Sequence, residues 1–451
     1  MVGVSGKENV RRVGAERKLS LLVLLTSGLL LACLKVRIFF IAVLALVGIG
    51  SVVFLMLHPV SAVCMLTFLA YGNVSGAFLP GVFSLLLILA FIAWTVRAFL
   101  SSDLTISATS VDLTLVIYVS TLLISMVFSR LPEVGGPDLL LIGKALILYA
   151  LLVNIVRTEK AALQVSGALV VGAALSGLMG LWASSHEKMQ VLLGAVYRAS
   201  GLTGNPNELA IVMVTAVPIS AYMLGAVKSR FGKFFFAIVT LLLVGANLVT
   251  LSRTGLVAML VVMFLIAFRE RRRNWVKLSV AAIFIVLPLL ITPEFWHRLA
   301  GSGYALVDYS AYLRTGAMKA GLRMFAENPV TGVGLGTYFV KSTEYGDLLY
   351  PLVAHNMFIH VLAESGILGL TAMLFLMGSS LRAMEFAERT TVQGSPLFYL
   401  ARAYRFSYLA FLLCGLSGSI QNNQSFWFMP AASVFLSHVA RKQASNSVEN
   451  F

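Results

Sequence analysis

The chain has 451 residues, is 59% hydrophobic and only 12% charged, and has a mean hydropathy of +0.90. A soluble domain is roughly 45 to 50% apolar and about 25% charged, so a water-soluble globular protein is excluded and an integral membrane protein is implied. The net charge of +15 reads as membrane topology and contact with anionic lipid, and no nucleic-acid partner is expected.

The chain opens with a basic segment, residues 1–18, followed by the first apolar run. LLLAC at 29–33 resembles a lipoprotein cleavage site, but another apolar run follows almost at once, so the segment reads as an uncleaved first helix. Runs such as 36–57 and 79–100 supply the roughly 20 apolar residues needed to cross about 30 Å of hydrocarbon. They lack strict two-residue alternation, which favours helices over a barrel. Spans are predicted at 19–34, 36–57, 59–75, 79–100, 111–129, 137–156, 162–183, 207–225, 231–251, 255–268, 275–291, 357–381, 398–418 and 424–440. The fold class is all-α, a polytopic protein with about 12 to 14 transmembrane helices. Cys33, Cys64 and Cys414 lie inside apolar runs without metal-ligand spacing and do not define a redox compartment.

With the N-terminus inside, about 20 Lys and Arg fall in cytoplasmic segments against about 11 outside. The strongest anchor is FRERRRNWVK at 268–277. The predicted layout is a cytoplasmic tail (1–18), N-terminal spans (19–291), an extracytoplasmic loop (292–356), C-terminal spans (357–440) and a second cytoplasmic tail (441–451). Both termini are then cytoplasmic. The loop 184–206, the break at 252–254 and the long loop all face outward.

Four basic positions gather on that outer side. Arg198 precedes a turn containing Gly201, Gly204, Asn205 and Pro206, a composition that caps a helix start. Arg253 falls in a break between two apolar runs with no acidic neighbour, and an arginine at membrane depth costs at least about 2.5 kcal/mol. Arg314 lies in 308–327, where Tyr309, Leu313, Gly316, Ala317, Ala320 and Met324 repeat at helical spacing, with Arg314, Lys319 and Arg323 off that stripe. This reads as an amphipathic interfacial helix ended by Asn328 and Pro329, followed by a glycine-rich bend at 332–336 (GVGLG). Three arginines converging from three loops would form an always-charged clamp for a phosphate or pyrophosphate. Greasy walls around such a clamp suit a ligand with an anionic head and a lipid tail.

His355 begins the helix at Asn356, where an imidazole can take a proton from a hydroxyl at neutral pH. His360 and Glu364 are four residues apart on one face and read as a supporting hydrogen-bonded pair. Asp103, Asp112, Asp138, Asp308 and Asp347 are scattered and no Asp-x-Asp occurs, so neither a divalent metal nor another cofactor is expected.

GLTGNPNELA (201–210), LSRTGL (251–256), RTGAMKAGLRMFAENPVTGVGLGTY (314–338) and AHNMFIHVLAESGILGL (354–370), in this order, resemble the O-antigen ligase and polymerase-like membrane family. The resemblance implies a GT-C type membrane glycosyltransferase at the outer face of the bacterial inner membrane. It would transfer a glycan from a polyprenyl-pyrophosphate carrier to a hydroxyl on a lipid, a glycan or another surface polymer. It also implies pyrophosphate binding by Arg253, Arg198 and Arg314, with His355 serving the acceptor hydroxyl. Asn205, Asn356, His360 and Glu364 are expected in support. Lipopolysaccharide ligases tend to show His-Asn, His-Ser or His-Arg, then nine residues and Gly-x-x-Thr-Thr. Here Gly366 is followed by Ile367, Leu368, Gly369 and Leu370, so lipid A core is not implied as the acceptor. A polysaccharide polymerase differs only in its acceptor, and a transporter of lipid-linked glycans is the alternative from another class. Polar groups crowding one membrane face, with no visible repeat, favour the enzyme over the transporter.

Overall fold

A computed structural model describes residues 49–78, 80–101, 108–186, 198–269 and 305–449. Those residues fold as helices joined by turns, with no strand among them. In chain order the main helices are α1 (Pro59–Gly72), α2 (Val82–Ser101), α3 (Ser110–Val127), α4 (Gly136–Ile155), α5 (Glu159–His186), α6 (Pro206–Ala226), α7 (Arg230–Val249), α8 (Arg253–Arg269), α9 (Ala305–Glu327), α10 (Tyr338–Tyr345), α11 (Met357–Thr390), α12 (Pro396–Gly415) and α13 (Gln424–Glu449). The protein is an all-α polytopic membrane protein. Among the described residues eight helices are long and apolar enough to cross a bilayer, and their limits lie close to the predicted spans except that α11 runs on to Thr390. The predicted spans 19–34 and 275–291, most of 36–57 and most of the basic anchor 268–277 lie outside the described residues.

Contacts divide the chain into two units, Met1–Pro59 with Ile88–Asp103 and Val60–Leu87 with Leu104–Phe451. In the first, the Arg97 guanidinium donates to the Met56 carbonyl at 2.7 Å. The second holds the site. Its centre is α6, buried along nearly its whole length and packed against α12, α7, α5 and α8. Association in lipid rests on close packing and interhelical hydrogen bonds, because the tails are as apolar as leucine. Accordingly Ser220 shares a 2.8 Å bond with Thr240, Ser407 donates to the Thr215 carbonyl at 2.6 Å, and Ser166 meets the Tyr404 hydroxyl at 3.0 Å. Each such bond contributes about 0.6 kcal/mol on average.

The helix starts are written locally. Thr109 and Asp112 form a reciprocal capping box on α3. Asn205 caps α6 with Pro206 at its first position, Ser395 and Pro396 do the same for α12, and Asn356 caps α11.

One element departs from its prediction. The run 357–381 reads as an uninterrupted span, but α11 is broken at Gly366, where φ is 63° and ψ is −163°. In an unbroken helix the Ala363 and Glu364 carbonyls would accept from Ile367 and Leu368. Instead they accept from Val333 (2.9 Å) and Gly334 (3.0 Å), while the Ile367 N–H turns to the Pro329 carbonyl at 2.9 Å. The glycine-rich bend is thus the plug of a helix break, and irregular backbone is tolerated in such a helix because protein satisfies it. A Cβ on Gly332 would lie 2.3 Å from the Glu364 carbonyl group, and one on Gly366 would lie 2.2 Å from the Val330 oxygen. The short helical piece between Asn356 and the break carries His360 and Glu364.

Candidate functional site

The starts of α6, α8, α11 and α13 meet the ends of α7 and α12 at one end of the helix bundle. Between α7 and α8 the chain turns through Thr250, Leu251 and Ser252. Leu251 takes the left-handed conformation, φ 50°, which a bulky residue adopts only under constraint. The Ser252 hydroxyl accepts from the Gly255 N–H at 3.3 Å, starting α8, and the exposed Arg253 is its first residue.

Arg198 braces this turn from behind. Its Nε donates to the Thr250 carbonyl at 3.0 Å and its Nη2 to Asn207 Oδ1 at 2.8 Å. Asn207 is held in turn by the capping residue Asn205, whose Oδ1 accepts from the Asn207 N–H at 2.9 Å. Asn205 therefore orients the partner of Arg198 through one turn of backbone.

Arg314 comes from α9, whose predicted stripe faces inward: Ala317, Ala320 and Met324 are fully buried while Lys319 and Arg323 are exposed. It lines a narrow cleft with Asn207, Ser252, Thr254, Gly255 and Ser417. The cleft is polar enough for an anion and is cross-tied by a Thr254–Ser417 hydroxyl contact. Burial, and then the charge of Arg253, lower the pKa of Arg314; a guanidinium stays charged all the same.

His355 also has left-handed backbone, φ 51°. Burial and then the Arg314 charge push its imidazole down to about 4, so it is neutral at pH 7 and able to accept a proton. Its neighbour Asn356 accepts from the Phe358 and Ile359 N–H groups at 2.9 and 3.0 Å and donates to the Leu416 carbonyl at 3.0 Å. The His355 turn is thereby pinned both to α11 and to the loop after α12.

Behind it, His360 Nε2 lies 3.3 Å from Glu364 Oε1, and His360 Nδ1 lies 3.1 Å from Ser419 Oγ. The Tyr338 ring stacks on His360 at 4.6 Å, and the Tyr338 N–H donates to Glu364 Oε1 at 3.0 Å. Glu364 thus joins α11 to α10 through its carboxylate and to the plug through its backbone carbonyl.

The structure brings Arg253, Arg314 and His355 into one electrostatic neighbourhood and places Arg198 behind it, one residue away through Asn207. Sequence reasoning missed Thr254, Ser417 and Ser419. The last two stand in the polar run LSGSIQNNQS (416–425) between two apolar helices, a signal that was legible.

These features define a polytopic helical membrane protein with a cleft at one end of its bundle that Arg314 lines, with Arg253 and His355 within reach of the Arg314 charge. Residues 238–374 match the Wzy_C family model, described as O-Antigen ligase, and so bear out the resemblance over a stretch that contains Arg253, Arg314 and His355. The match points to a ligase- or polymerase-type role in the membrane with lipid-linked glycan and polysaccharide acceptor substrates in general. No curated protein matches the chain.

Proposed function

We propose that the protein is a glycosyltransferase that moves a glycan from a polyprenyl-pyrophosphate carrier to an acceptor hydroxyl at the outer face of the bacterial inner membrane. The observation that supports this reading is a half-buried imidazole under the charge of Arg314, which in turn lies under the charge of Arg253. Together they match the two demands of the reaction, a proton acceptor for the hydroxyl and a cationic seat for the leaving group.

In the reaction the acceptor oxygen bonds to the anomeric carbon, the bond from that carbon to the phosphate oxygen breaks, and the hydroxyl proton passes to His355. Arg253 and Arg314 offset the charge that develops on the departing pyrophosphate, where electrostatic stabilisation counts most. Arg198 fixes the turn that presents Arg253. The donor also tunes the base: its phosphates offset the Arg314 charge that depresses His355, so the imidazole becomes more basic once the donor is bound. A general base of this kind contributes about 10² to 10⁴ in rate.

The test is to express His355→Ala and Arg253→Ala at wild-type levels and to measure mature glycan against its lipid-linked precursor. Precursor should accumulate in both, and normal glycan from both variants would remove the mechanism.

A further inference from the structure

A second cavity lies between α1, α4 and the start of α13, away from the arginines. Its volume is about 460 Å³, within the roughly 300 to 1,000 Å³ of small-molecule pockets. It follows α4 from Pro137 to Leu152, about 22 Å at 1.5 Å per residue. Most of the wall is apolar, with Leu152 at the end far from Pro137, and the polar residues are Asn73, Lys144, Asn422, Gln424 and two rings with polar tips.

Lys144 is the feature that calls for an explanation. It lies within one of the eight spanning helices, about 12 Å along the axis from Gly136, and has no carboxylate partner among the described residues. A lysine deep in a span costs at least about 2.5 kcal/mol unless its charge is met. Helical side chains lean toward the N-terminus of their helix, and a lysine stem extends along apolar surface to carry its charge outward. The N-terminal end of α4 is where Asn422 sits, since its amide donates to Asp138 Oδ1 at 3.0 Å. An extended Lys144 stem would carry the ammonium toward the end of the cavity where the side-chain amides gather. Trp427, 5% exposed and part of the same wall, has an indole N–H without a partner.

We propose that this cavity is a binding site for an anionic glycerophospholipid of the surrounding bilayer. The phosphate diester meets Lys144 and the amides of Asn422 and Gln424, and an acyl chain runs down α4 past Leu152. Size, apolar depth and a single cation short of the mouth fit one phosphate on a long hydrocarbon. They do not fit a pyrophosphate, for which the arginine cleft offers two adjacent guanidiniums. The site is distinct from that cleft, and its occupancy does not depend on the transferase reading.

The experiment uses the full chain, delipidated in detergent, with melting followed as dioleoyl-phosphatidylglycerol or dioleoyl-phosphatidylcholine is added. Phosphatidylglycerol should stabilise the wild type and phosphatidylcholine should not. Lys144→Met should weaken phosphatidylglycerol binding at least about fivefold, the worth of one lysine contact to an anionic lipid, while melting no lower than wild type in the absence of lipid. Ala145→Trp, which fills the cavity while leaving the charge, should also abolish the response. Equal responses to the two lipids, or an unchanged response in Lys144→Met, would overturn the proposal. So would displacement of phosphatidylglycerol by a long-chain isoprenyl monophosphate at equal concentration, which would make the carrier lipid the occupant.

Discussion

The two ends of the bundle use arginine in opposite ways. At the end that carries the cleft, Arg253 and Arg314 approach each other, and neither has a carboxylate partner among the described residues. At the far ends of α11, α8 and α12 the buried Glu388 is gripped by Arg402 at 2.8 Å and Arg405 at 2.5 Å, with Arg269 at 3.7 Å. Arg402 also stacks over the Phe398 ring at 4.4 Å. The second arrangement is satisfied and holds three helices together. The first is frustrated, and a half-buried Arg314 held under the like charge of the exposed Arg253 makes sense when a ligand supplies the missing anion.

The sharpest way to break this contrast is to remove one arginine from each end. Arg253→Ala should reduce transfer about 10²- to 10³-fold, the usual loss when one group that stabilises developing charge is deleted, with melting unchanged or raised. Arg253→Lys should recover only part, since an ammonium keeps the charge but loses the planar fork. Arg405→Ala should do the reverse, lowering the melting temperature and leaving turnover per folded molecule near wild type. A similar loss of turnover from both variants would show that the two ends do not differ in the way described.

Glu388→Gln tests the satisfied end alone. Breaking a buried ion pair by neutralising one partner typically costs about 3 to 5 kcal/mol; here the exposure of Arg269 and Arg405 lets water take up part of their charge and places the expectation near 3. Denaturation in mixed micelles reads this directly, and a variant as stable as wild type would make the cluster dispensable.

The cationic end is sharpened by pH. In the free protein His355 is pushed down to about 4, and it is active as a base only when neutral. kcat/KM, which reports the free enzyme, should therefore hold on acidification until the pH approaches that value. kcat reports the donor complex, where phosphate charge opposes Arg314, so its acidic limb should lie at higher pH. In Arg314→Gln part of the depressing charge is gone, and the acidic limb of kcat/KM should move upward. Burial remains the larger cause and limits the movement to part of the distance to the ordinary histidine value. An unmoved limb would mean that Arg314 does not set the basicity of His355.

What could be read from the sequence was whatever is encoded within one or two helical turns. The Asn205 and Asn356 caps, the inward stripe of Ala317, Ala320 and Met324 and the His360–Glu364 pairing all follow from neighbours three or four residues apart. The break at Gly366 did not, because its surrounding residues are as apolar as any span and the groups that satisfy it come from Pro329–Gly334, more than thirty residues earlier. The same holds for Ser417 and Ser419, whose partners Thr254 and His360 lie on other helices. The arginines were conspicuous for the cost of their placement, but only the fold shows that Arg198 is spent on Thr250 and Asn207 while Arg253 is left facing Arg314.

The smallest predicted effect separates two jobs that Asn356 performs with different atoms. Its Oδ1 caps α11, and its Nδ2 reaches the Leu416 carbonyl. Asn356→Ala should lose about 1 kcal/mol of stability, the usual worth of a cap, together with activity. Asn356→Ser keeps an oxygen for the cap but has no amide to span the gap to Leu416. If the loop after α12 helps to hold His355 in its left-handed turn, the serine variant should regain stability without regaining turnover. The loss should appear in kcat more than in KM, because the imidazole is misplaced while the donor seat at Arg253 and Arg314 is intact. Full recovery of both by serine would confine Asn356 to capping, and the strain at His355 would then have to be held by the plugged segment of α11 alone.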